Sequence, residues 1–409
     1  MGVRSEKVSF EGSAGTLAAR LDLPPGTPRA FALFAHCFTC SKDVFAASRI
    51  AQGLADQGIA TLRFDFTGLG ASDGEFANTN FSSNIEDLLA AARYLAENHE
   101  APALLVGHSL GGAAVLATAS KLDSVKAIAT IGAPFEPIHV SHNFGGSIHE
   151  IEAQGEAEVS IGGRPFTVKK QFLDDLASHD PAADIGAIRA ALLVCHAPRD
   201  EIVGIENATQ IFVTAKHPKS FLSLDSADHL LTRREDAEYL AGVLSSWAAR
   251  FLGLGRPARP QTKLRPAEGD TITVETGAGK FTTYIEAGGH KLSADEPLAY
   301  GGDNTGPSPY DLLLASLGAC TSMTMRMYAT HKKIPLERVA VKLSHEKIHA
   351  EDCADCETKE GKIDFIAREI EVTGELDEGQ RQGLLRIADK CPVHRTLHSE
   401  VKIDSRLTD

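Results

Sequence analysis

The stretch LLVGHSLGGAA, residues 104–114, places a serine between an apolar strand and the start of a helix. Attack on a carbonyl carbon requires an exposed hydroxyl on a tight turn, and such a turn accepts only small neighbours, here Gly107 and Gly111. The turn also points the N–H of Leu110 toward the position where a carbonyl oxygen would gain negative charge. The pattern therefore indicates that Ser109 is a nucleophile and that Leu110 stabilises an oxyanion, although a strand-to-helix turn without a catalytic role has the same residues.

Two further residues, each placed after an apolar strand, favour the catalytic interpretation. Asp200 follows the strand ALLVC, and His229 follows the strand FLSL. We expect His229 to be the general base that draws the proton from Ser109, and Asp200 to accept a hydrogen bond from the imidazole. Serine, aspartate and histidine in this chain order, each at a strand end, are typical of one α/β fold. Asp228 is a weaker candidate for the acid, because adjacent side chains rarely face each other.

Short apolar runs alternate with longer helical patterns through the first half of the chain, which predicts a mainly parallel sheet with helices on both faces. The predicted strands are AFALFA at 30–35, IATLRF at 59–64, ALLVG at 103–107, AIATI at 127–131, ALLVC at 191–195 and FLSL at 221–224. Two earlier alternating runs, KVSFEG and TLAARLDL, predict an opening antiparallel hairpin. The pattern is irregular at 133–188, which favours a small cap over the carboxyl ends of the strands. We therefore expect an α/β domain over residues 1–253 that ends on a helix containing Trp247.

With these motifs, residues 1–253 resemble the α/β-hydrolase superfamily. The resemblance implies a serine hydrolase that acts on a carboxylic ester or related acyl substrate through a covalent ester on Ser109. The segment AHCFTCSKD at 35–43 corresponds to the His-Gly loop of that superfamily, whose backbone gives the second oxyanion donor. In this sequence the donor would be the N–H of Phe38.

This loop departs from the superfamily pattern in its cysteines. Cys37 stands where glycine is usual, and Cys40 completes a C-x-x-C motif. We interpret the two as buried, inert thiols, with redox control of the loop as the alternative. Three histidines beside the predicted catalytic turns, His36, His108 and His196, are expected to pack behind those turns.

The segment GLGRPARPQTKLRPAEG at 253–269 contains three prolines and three glycines, which is typical of an exposed linker, here placed at 254–267. Beyond it, over residues 268–409, strand patterns are separated from a few helical ones, which indicates an α+β domain. The predicted strands are TITVET, FTTYIEA, VAVKLSHEKIHA and IDFIAREIEVTGEL, and the predicted helices begin after Pro309 and at DEGQRQGLLRIADK.

Two cysteines of this second domain lie in distinctive positions. Cys391 immediately precedes Pro392, which suits the first position of a helix, and unpaired N–H groups at a helix start stabilise a thiolate. Cys320 lies in the middle of SPYDLLLASLGACTSMTMRMYATHKK, a helix that Ser308 is expected to cap. That helix is apolar around nearly its whole circumference, which predicts burial. Taken alone, Cys320 would be a small core residue.

Together, GPSPYDLLLASLGAC at 306–320 and ADKCPVHRTL at 388–397 resemble the OsmC/Ohr family, whose members include thiol-dependent organic hydroperoxide reductases. The resemblance covers about residues 268–406. It implies that Cys320 attacks the peroxide, that Cys391 resolves the oxidised cysteine, and that the partners are an organic hydroperoxide and a dithiol reductant. It also implies an intertwined homodimer whose sheets wrap the central helices.

The sequence departs from the peroxidase members of that family at two positions. Those members use an arginine from the strands before the helix and a glutamate at its start, but no arginine occurs between Pro266 and Met325, and Tyr310 occupies the glutamate position. His290, Lys291 or Lys280 could substitute for the arginine. The alternative is therefore that the second domain is only a dimerisation or ligand-binding module.

A third pair of cysteines suggests a zinc site with the nearby histidines, in SHEKIHAEDCADCE at 344–357. If His345 and His349 lie on one strand, they are about 13 Å apart and cannot both bind one ion. Cys353 and Cys356 with one histidine and water remain an alternative. We expect neither a metal nor a cofactor.

The composition narrows the partners and the compartment. The chain has 409 residues, which favours two domains, and its 55 acidic and 41 basic residues give a formal net charge of -14. Because lysine and arginine do not cluster, we expect neither nucleic-acid nor membrane binding. The segment MGVRSEKVSFEG lacks the apolar stretch of a signal peptide, and no apolar run reaches spanning length, which predicts a cytoplasmic protein. Seven cysteines are too few for a disulfide scaffold.

Overall fold

The computed structural model describes residues 3–38, 40–161, 163–254, 262, 264, 269–275, 280–350 and 360–407. The chain divides into two compact units, Met1–Arg259 and Pro260–Asp409. Most of the predicted linker at 254–267 lies outside the described residues, as do Cys353 and Cys356.

The first unit is built from alternating strands and helices. Its elements are β1 Arg4–Glu11, β2 Thr16–Leu23, β3 Ala30–Ala35, α1 Phe45–Ala55, β4 Ile59–Phe64, α2 Phe81–Asn98, β5 Leu104–His108, α3 Leu110–Ala119, β6 Ala127–Ile131, α4 Ser147–Gln154, β7 Glu156–Ile161, β8 Arg164–Lys169, α5 Lys170–Ser178, α6 Pro181–Ala187, β9 Ala191–His196, α7 Ile205–Thr214, β10 Lys219–Ser223 and α8 Arg234–Phe251. Every strand predicted for this unit is present, and Trp247 lies in α8 as expected.

Eight of the described strands form one sheet in the order β1-β2-β4-β3-β5-β6-β9-β10. β1 pairs antiparallel with β2, and β2 pairs antiparallel with β4. The remaining pairs of this sheet are parallel, and they join β4, β3, β5, β6, β9 and β10. Strands β3, β4, β5, β6 and β9 are buried along their whole length, which explains why they are continuous apolar runs. The predicted mainly parallel sheet is therefore confirmed, and the ends of β5, β9 and β10 carry the predicted site residues.

An insertion between β6 and β9 corresponds to the irregular region of the sequence. It contains a 3₁₀ helix at Pro137–Phe144, helix α4, the antiparallel hairpin of β7 and β8, and helices α5 and α6. Alternate residues of β7 are buried, and Phe144 and Phe172 point into the core of the unit. The insertion thus packs its apolar side chains onto the first unit rather than forming a separate core.

The second unit separates its strands from its helices, as the sequence predicts. Its elements are β11 Thr271–Glu275, β12 Thr283–Ala287, β13 His290–Ala294, α9 Pro309–Lys332, β14 Arg338–His349, β15 Lys362–Thr373, α10 Glu378–Ala388 and α11 Pro392–Leu397. β11, β12 and β13 form an antiparallel sheet, and β14 pairs antiparallel with β15. The sequence analysis missed β13, because HKLSA is short and its first three residues are exposed.

Helix α9 begins as predicted, with Ser308 and Asp311 forming a capping box around Pro309. The expectation that the helix is buried on all sides is wrong for the single chain. Its buried residues form one stripe, Leu317, Thr321, Met325 and Ala329, whereas Met323 is 65% exposed and Met327 is 73% exposed. Spacing of four residues brings that stripe to one side of the helix, and within the chain the helix packs against β14, α10 and α11. Cys320 is consequently half-buried and does not lie inside a core.

Among the described residues, we find no helix that combines the length and the apolar character needed to span a membrane.

Candidate active site

Ser109 lies on a sharp turn that connects β5 to α3. Its φ angle is 55°, a left-handed conformation that a non-glycine residue rarely adopts, and its N–H donates to the carbonyl of Ile131 at 2.8 Å. The glycines beside it are required by the close approach of backbone atoms. A Cβ atom at Gly107 would lie 2.3 Å from the carbonyl oxygen of Gly111, and one at Gly111 would lie 2.4 Å from that of His36. The strain at Ser109 is thus held in place by its surroundings.

His229 lies between Ser109 and Asp200, although the three residues are far apart in the sequence. Its Nε2 is 3.0 Å from Ser109 Oγ, and its Nδ1 is 2.7 Å from Asp200 Oδ2. Because a carboxylate can only accept, Nδ1 carries the proton and Nε2 is free to accept one from the serine. The arrangement can therefore remove the hydroxyl proton of Ser109 while the carboxylate stabilises the resulting imidazolium.

Asp200 is held as a carboxylate by three donors. Besides His229, the N–H groups of Ile202 and Val203 each donate to Oδ1 at 2.9 Å. Burial alone would raise the pKa of Asp200, but the hydrogen bonds from His229 and from Val203 outweigh it and lower that pKa below its usual value. Asp228, the weaker candidate, instead accepts hydrogen bonds from the backbone and hydroxyl of Thr232. Of these two carboxylates, Asp200 is therefore the one that contacts the imidazole.

Two of the flanking histidines hold backbone segments of the site. His108 Nε2 lies 2.7 Å from the carbonyl of His229, and burial lowers the pKa of His108 to about 4. His196 Nε2 lies 2.7 Å from the carbonyl of Val203, and burial also lowers the pKa of His196. Both rings are therefore neutral donors that fix the loops carrying His229 and Asp200.

The loop between β3 and α1 contradicts our interpretation of its cysteines. Cys37 and Cys40 form a disulfide, with their Cα atoms 5.3 Å apart. The turn in which Cys40 N–H donates to the carbonyl of Cys37 brings the two residues to this distance, which is within the range a disulfide spans. Phe38 therefore lies inside a small covalent ring, beside the cavity that Leu110 also borders.

A buried set of charges holds the other end of this loop, and the sequence analysis assigned no role to it. Asp65 is fully buried and accepts from the backbone N–H of Lys42 at 2.6 Å and from its Nζ at 2.7 Å. Arg63 donates to the carbonyl of Lys42 and pairs with Asp22 at 2.7 Å. A buried carboxylate without these partners would be strongly destabilising, so the network fixes the position of Lys42. The available signal was a pair of charged residues at a buried strand, Arg63 within β4 and Asp65 directly after it.

A cavity with room for about one water molecule is bordered by Phe38 and Leu110, the two predicted oxyanion donors, and by polar side chains such as Thr67 and Asn84. Its lining includes Phe38, Phe66, Phe76 and Leu110. Aromatic rings from the insertion surround it: the ring centroids of Phe38 and Phe172 are 5.6 Å apart, and those of Phe76 and Phe166 are 4.9 Å apart. Aromatic side chains of the insertion therefore pack against the loop that contains Phe38.

The second unit places Cys391 at a helix start, as the sequence predicts, and buries it completely. Cys391 Sγ accepts from the N–H of His394 at 3.3 Å and lies 3.8 Å from the hydroxyl of Thr321, the residue that follows Cys320. Cys320 and Cys391 are both free thiols. The structure therefore brings the two cysteine-bearing segments together, with Thr321 in contact with Cys391.

An arginine missed by the sequence analysis also reaches this cluster. Arg368 on β15 donates to the hydroxyl of Thr321 at 3.1 Å and pairs with Asp389 at 2.5 Å. The signal was present in the alternation of the strand, because Arg368 falls on the same face as Ile370 and Val372, which pack into the core of this unit. A charged residue at an apolar position of the alternation indicates a specific partner.

The other positions considered for the second unit have different partners. Tyr310 stacks on the ring of His345 at 4.3 Å, and His345 contacts Asp364 at 2.8 Å. Lys280 pairs with Asp303 at 3.1 Å. Within the part of the chain that the structure describes, no group of three or more metal-binding side chains is found.

Comparison with known proteins assigns a family to each unit. The family model described as "Serine aminopeptidase, S33" matches residues 26–156, and the one described as "OsmC-like protein" matches residues 302–406. Among curated proteins, the mitochondrial palmitoyl-protein thioesterase ABHD10 of Rattus norvegicus is 26% identical over 195 residues, which are 45% of this chain and 63% of the relative. The chain thus spans 63% of the length of this relative.

Solved structures agree with the assignment of the first unit. The esterase domain of a Rhodothermus marinus protein is 51% identical, with a TM-score of 0.52, and the match covers 61% of this chain and 100% of that domain. Alpha/beta hydrolase domain-containing protein 10 from mouse is 22% identical, with a TM-score of 0.51 over 60% of this chain and 99% of that one, and so shares the fold. The chain is therefore a hydrolase of the α/β-hydrolase superfamily fused to a domain of the OsmC-like family.

Proposed function

We propose that the first unit is a serine hydrolase that transfers an acyl group through a covalent ester on Ser109. The observation that carries this proposal is the position of His229, within hydrogen-bond distance of both Ser109 Oγ and Asp200 Oδ2. Likeness to an esterase domain at 51% identity supports the same reaction class.

In the proposed reaction, His229 Nε2 takes the proton of Ser109 as the serine oxygen attacks the carbonyl carbon. The oxygen of that carbonyl gains negative charge and accepts from the N–H groups of Phe38 and Leu110. Leu110 is the first residue of α3, so its N–H has no acceptor within the helix. The protonated imidazole then gives its proton to the leaving group, and water repeats the sequence to release the acid.

The substrate we propose is a carboxylic ester or thioester with an apolar acyl group. The aromatic side chains of Phe38, Phe76 and Phe172, which lie close to one another near Leu110, favour such a group over a charged one. The thioester is included because the relative from Rattus norvegicus is named as a thioesterase.

For the second unit we propose a thiol-dependent reduction of organic hydroperoxides. Cys320 sulfur attacks the peroxide, the O–O bond breaks, and the alcohol leaves as Cys320 becomes a sulfenic acid. Cys391 then attacks the sulfur of Cys320, a disulfide forms, and hydroxide leaves. A dithiol reductant returns both cysteines to thiols. The proposal is supported by the OsmC-like family match and by the contact between Cys391 and the residue after Cys320.

A second candidate is that this unit is a dimerisation or ligand-binding module. The exposed apolar side chains of α9 and α10 favour a homodimer, because Met323, Met327 and Leu385 are each at least 50% exposed. A homodimer is compatible with both candidates, so the peroxide reaction is what distinguishes them.

Replacing Ser109 with alanine is expected to abolish ester hydrolysis and labelling by an organophosphonate, because the attacking oxygen is lost. Labelling is measured by peptide mapping of the full chain. The matched control is Ser120→Ala, an exposed serine at the opposite end of the same helix, which should react like the unchanged protein. Equal labelling of Ser109→Ala would refute the assignment.

Replacing Asp200 with asparagine is expected to lower kcat by roughly 10³- to 10⁴-fold, because the amide no longer stabilises the imidazolium or fixes its tautomer. Steady-state ester hydrolysis measures the effect, and circular dichroism confirms that the variant folds. Asp228→Asn serves as the control, since Asp228 contacts Thr232 rather than His229. A larger loss in Asp228→Asn than in Asp200→Asn would transfer the role of acid to Asp228.

Treatment with cumene hydroperoxide is expected to produce a Cys320–Cys391 disulfide, whereas hydrogen peroxide should react more slowly because apolar side chains of α9 precede Cys320. Cys320→Ser should consume no peroxide, and Cys391→Ser should consume one equivalent and then stop. Peptide mapping gives the state of each thiol, with Cys195, buried in the first unit, as the internal control that stays reduced. If Cys320 and Cys391 both stay free and the peroxide is not consumed, the peroxidase proposal is refuted. The dimerisation or ligand-binding module is then the remaining candidate for this unit.

A further inference from the structure

The hydroxyl of Thr321 has an unusual set of partners for a residue inside a helix. Other hydroxyl side chains of α9 donate to carbonyl oxygens of the helix itself: Ser316 to Leu313, Ser322 to Ala319 and Thr330 to Arg326. The Thr321 hydroxyl instead contacts the guanidinium of Arg368 and the sulfur of Cys391. Thr321 is fully buried, so these side chains are its available partners.

The guanidinium occupies one lone pair of this hydroxyl and leaves its hydrogen available. Arginine has five N–H donors and no acceptor, so Thr321 Oγ1 must accept from Arg368 Nη1 across the 3.1 Å between them. The hydroxyl hydrogen is not used by Arg368, and Cys391 Sγ lies 3.8 Å from the oxygen, within reach of that hydrogen. A Cys391 thiol could donate to this oxygen as well, but a thiolate has no hydrogen to donate, so in that form the contact runs from the hydroxyl to the sulfur.

Arg368 is itself held in a single orientation. Its Nη2 pairs with Asp389 at 2.5 Å, and its Nη1 also donates to the carbonyl of Ala388 at 3.4 Å. The side chain of Arg368 is only 13% exposed, so its charge acts in a region that is poorly screened by water. Its geometry thus aims one N–H at Thr321.

We propose that Arg368 and Thr321 are positioning residues that make Cys391 a hydrogen-bond acceptor and thereby favour its thiolate. As a thiolate the sulfur accepts from two donors, the N–H of His394 and the Thr321 hydroxyl, and such donors stabilise the charged form more than the neutral one. Arg368 thus supplies, from a strand that follows α9, a positive charge that acts on Cys391 through Thr321. The consequence for turnover rests on the proposed peroxide reaction, in which a Cys391 thiolate attacks Cys320.

The test compares Thr321→Val, which removes the hydroxyl and keeps the shape, with Thr321→Ser, which keeps the hydroxyl. Thiolate is measured in the full chain at neutral pH by its absorbance at about 240 nm. The Cys391→Ser substitution is introduced into the unchanged protein and into each variant, and the absorbance that it removes is the contribution of the Cys391 thiolate. We expect Thr321→Ser to match the unchanged protein and Thr321→Val to lower the thiolate-to-thiol ratio of Cys391 about tenfold. Equal absorbance in all three forms, or equal losses in both variants, would overturn the proposal.

Arg368→Gln tests whether the charge acts through Thr321. We expect this variant to lower the ratio as well, and the combination with Thr321→Val to be no worse than Thr321→Val alone, because two residues that act in series are not additive. Additive losses would overturn the relay. Melting curves of every variant exclude unfolding as the cause.

The rate of disulfide formation after one equivalent of hydroperoxide gives a second readout. Thr321→Val should slow closure of the disulfide about tenfold and leave consumption of the first equivalent unchanged. Slowing of both steps alike would contradict a role confined to Cys391. If no form produces a disulfide, the proposed peroxidase reaction is wrong, and the absorbance comparison still decides the role of Thr321 and Arg368.

Discussion

The close approach of two backbone segments around Ser109 is the constraint on which the first unit depends. Because a Cβ atom at Gly107 would lie 2.3 Å from the Gly111 carbonyl, α3 can follow β5 directly only when both positions lack a side chain. Gly111 also packs directly against the carbonyl of His36, and this contact fixes α3 relative to the loop that contains Phe38. The sheet then delivers Asp200 and His229 from the ends of neighbouring strands. One packing requirement thus sets the positions of Ser109, of the start of α3 and of the loop that contains Phe38.

Much of this unit could be predicted because its signals are local. Buried parallel strands are continuous apolar runs, and a turn that tolerates only glycine leaves a short motif around Ser109. Asp200 and His229 could be predicted as partners of Ser109 because each follows an apolar run. The choice of Asp200 over Asp228 was also predictable, since neighbouring side chains in an extended segment point apart, and the structure pairs Asp228 with Thr232.

The features that could not be predicted depend on contacts between distant segments or on a bond between side chains. The spacing of Cys37 and Cys40 suits either free thiols or a disulfide, and only the conformation of the turn decides for the disulfide. Arg368 lies 47 residues beyond Thr321, so its contact depends on where the fold places β15 relative to α9. Met327 is exposed because no other part of the single chain that the structure describes packs over it. The periodicity of apolar residues along a helix does not indicate which of its faces another element will cover.

The most direct test of this account is a crystal structure of the full chain with an organophosphonate bound to Ser109, because the phosphonyl oxygen marks where the oxyanion would form. The account predicts that this oxygen lies about 2.7–3.1 Å from the backbone nitrogens of both Phe38 and Leu110. It also predicts that the Cys37–Cys40 loop keeps the position seen here. A phosphonyl oxygen that contacts neither nitrogen, or that contacts Leu110 alone while Phe38 N–H points elsewhere, would contradict it.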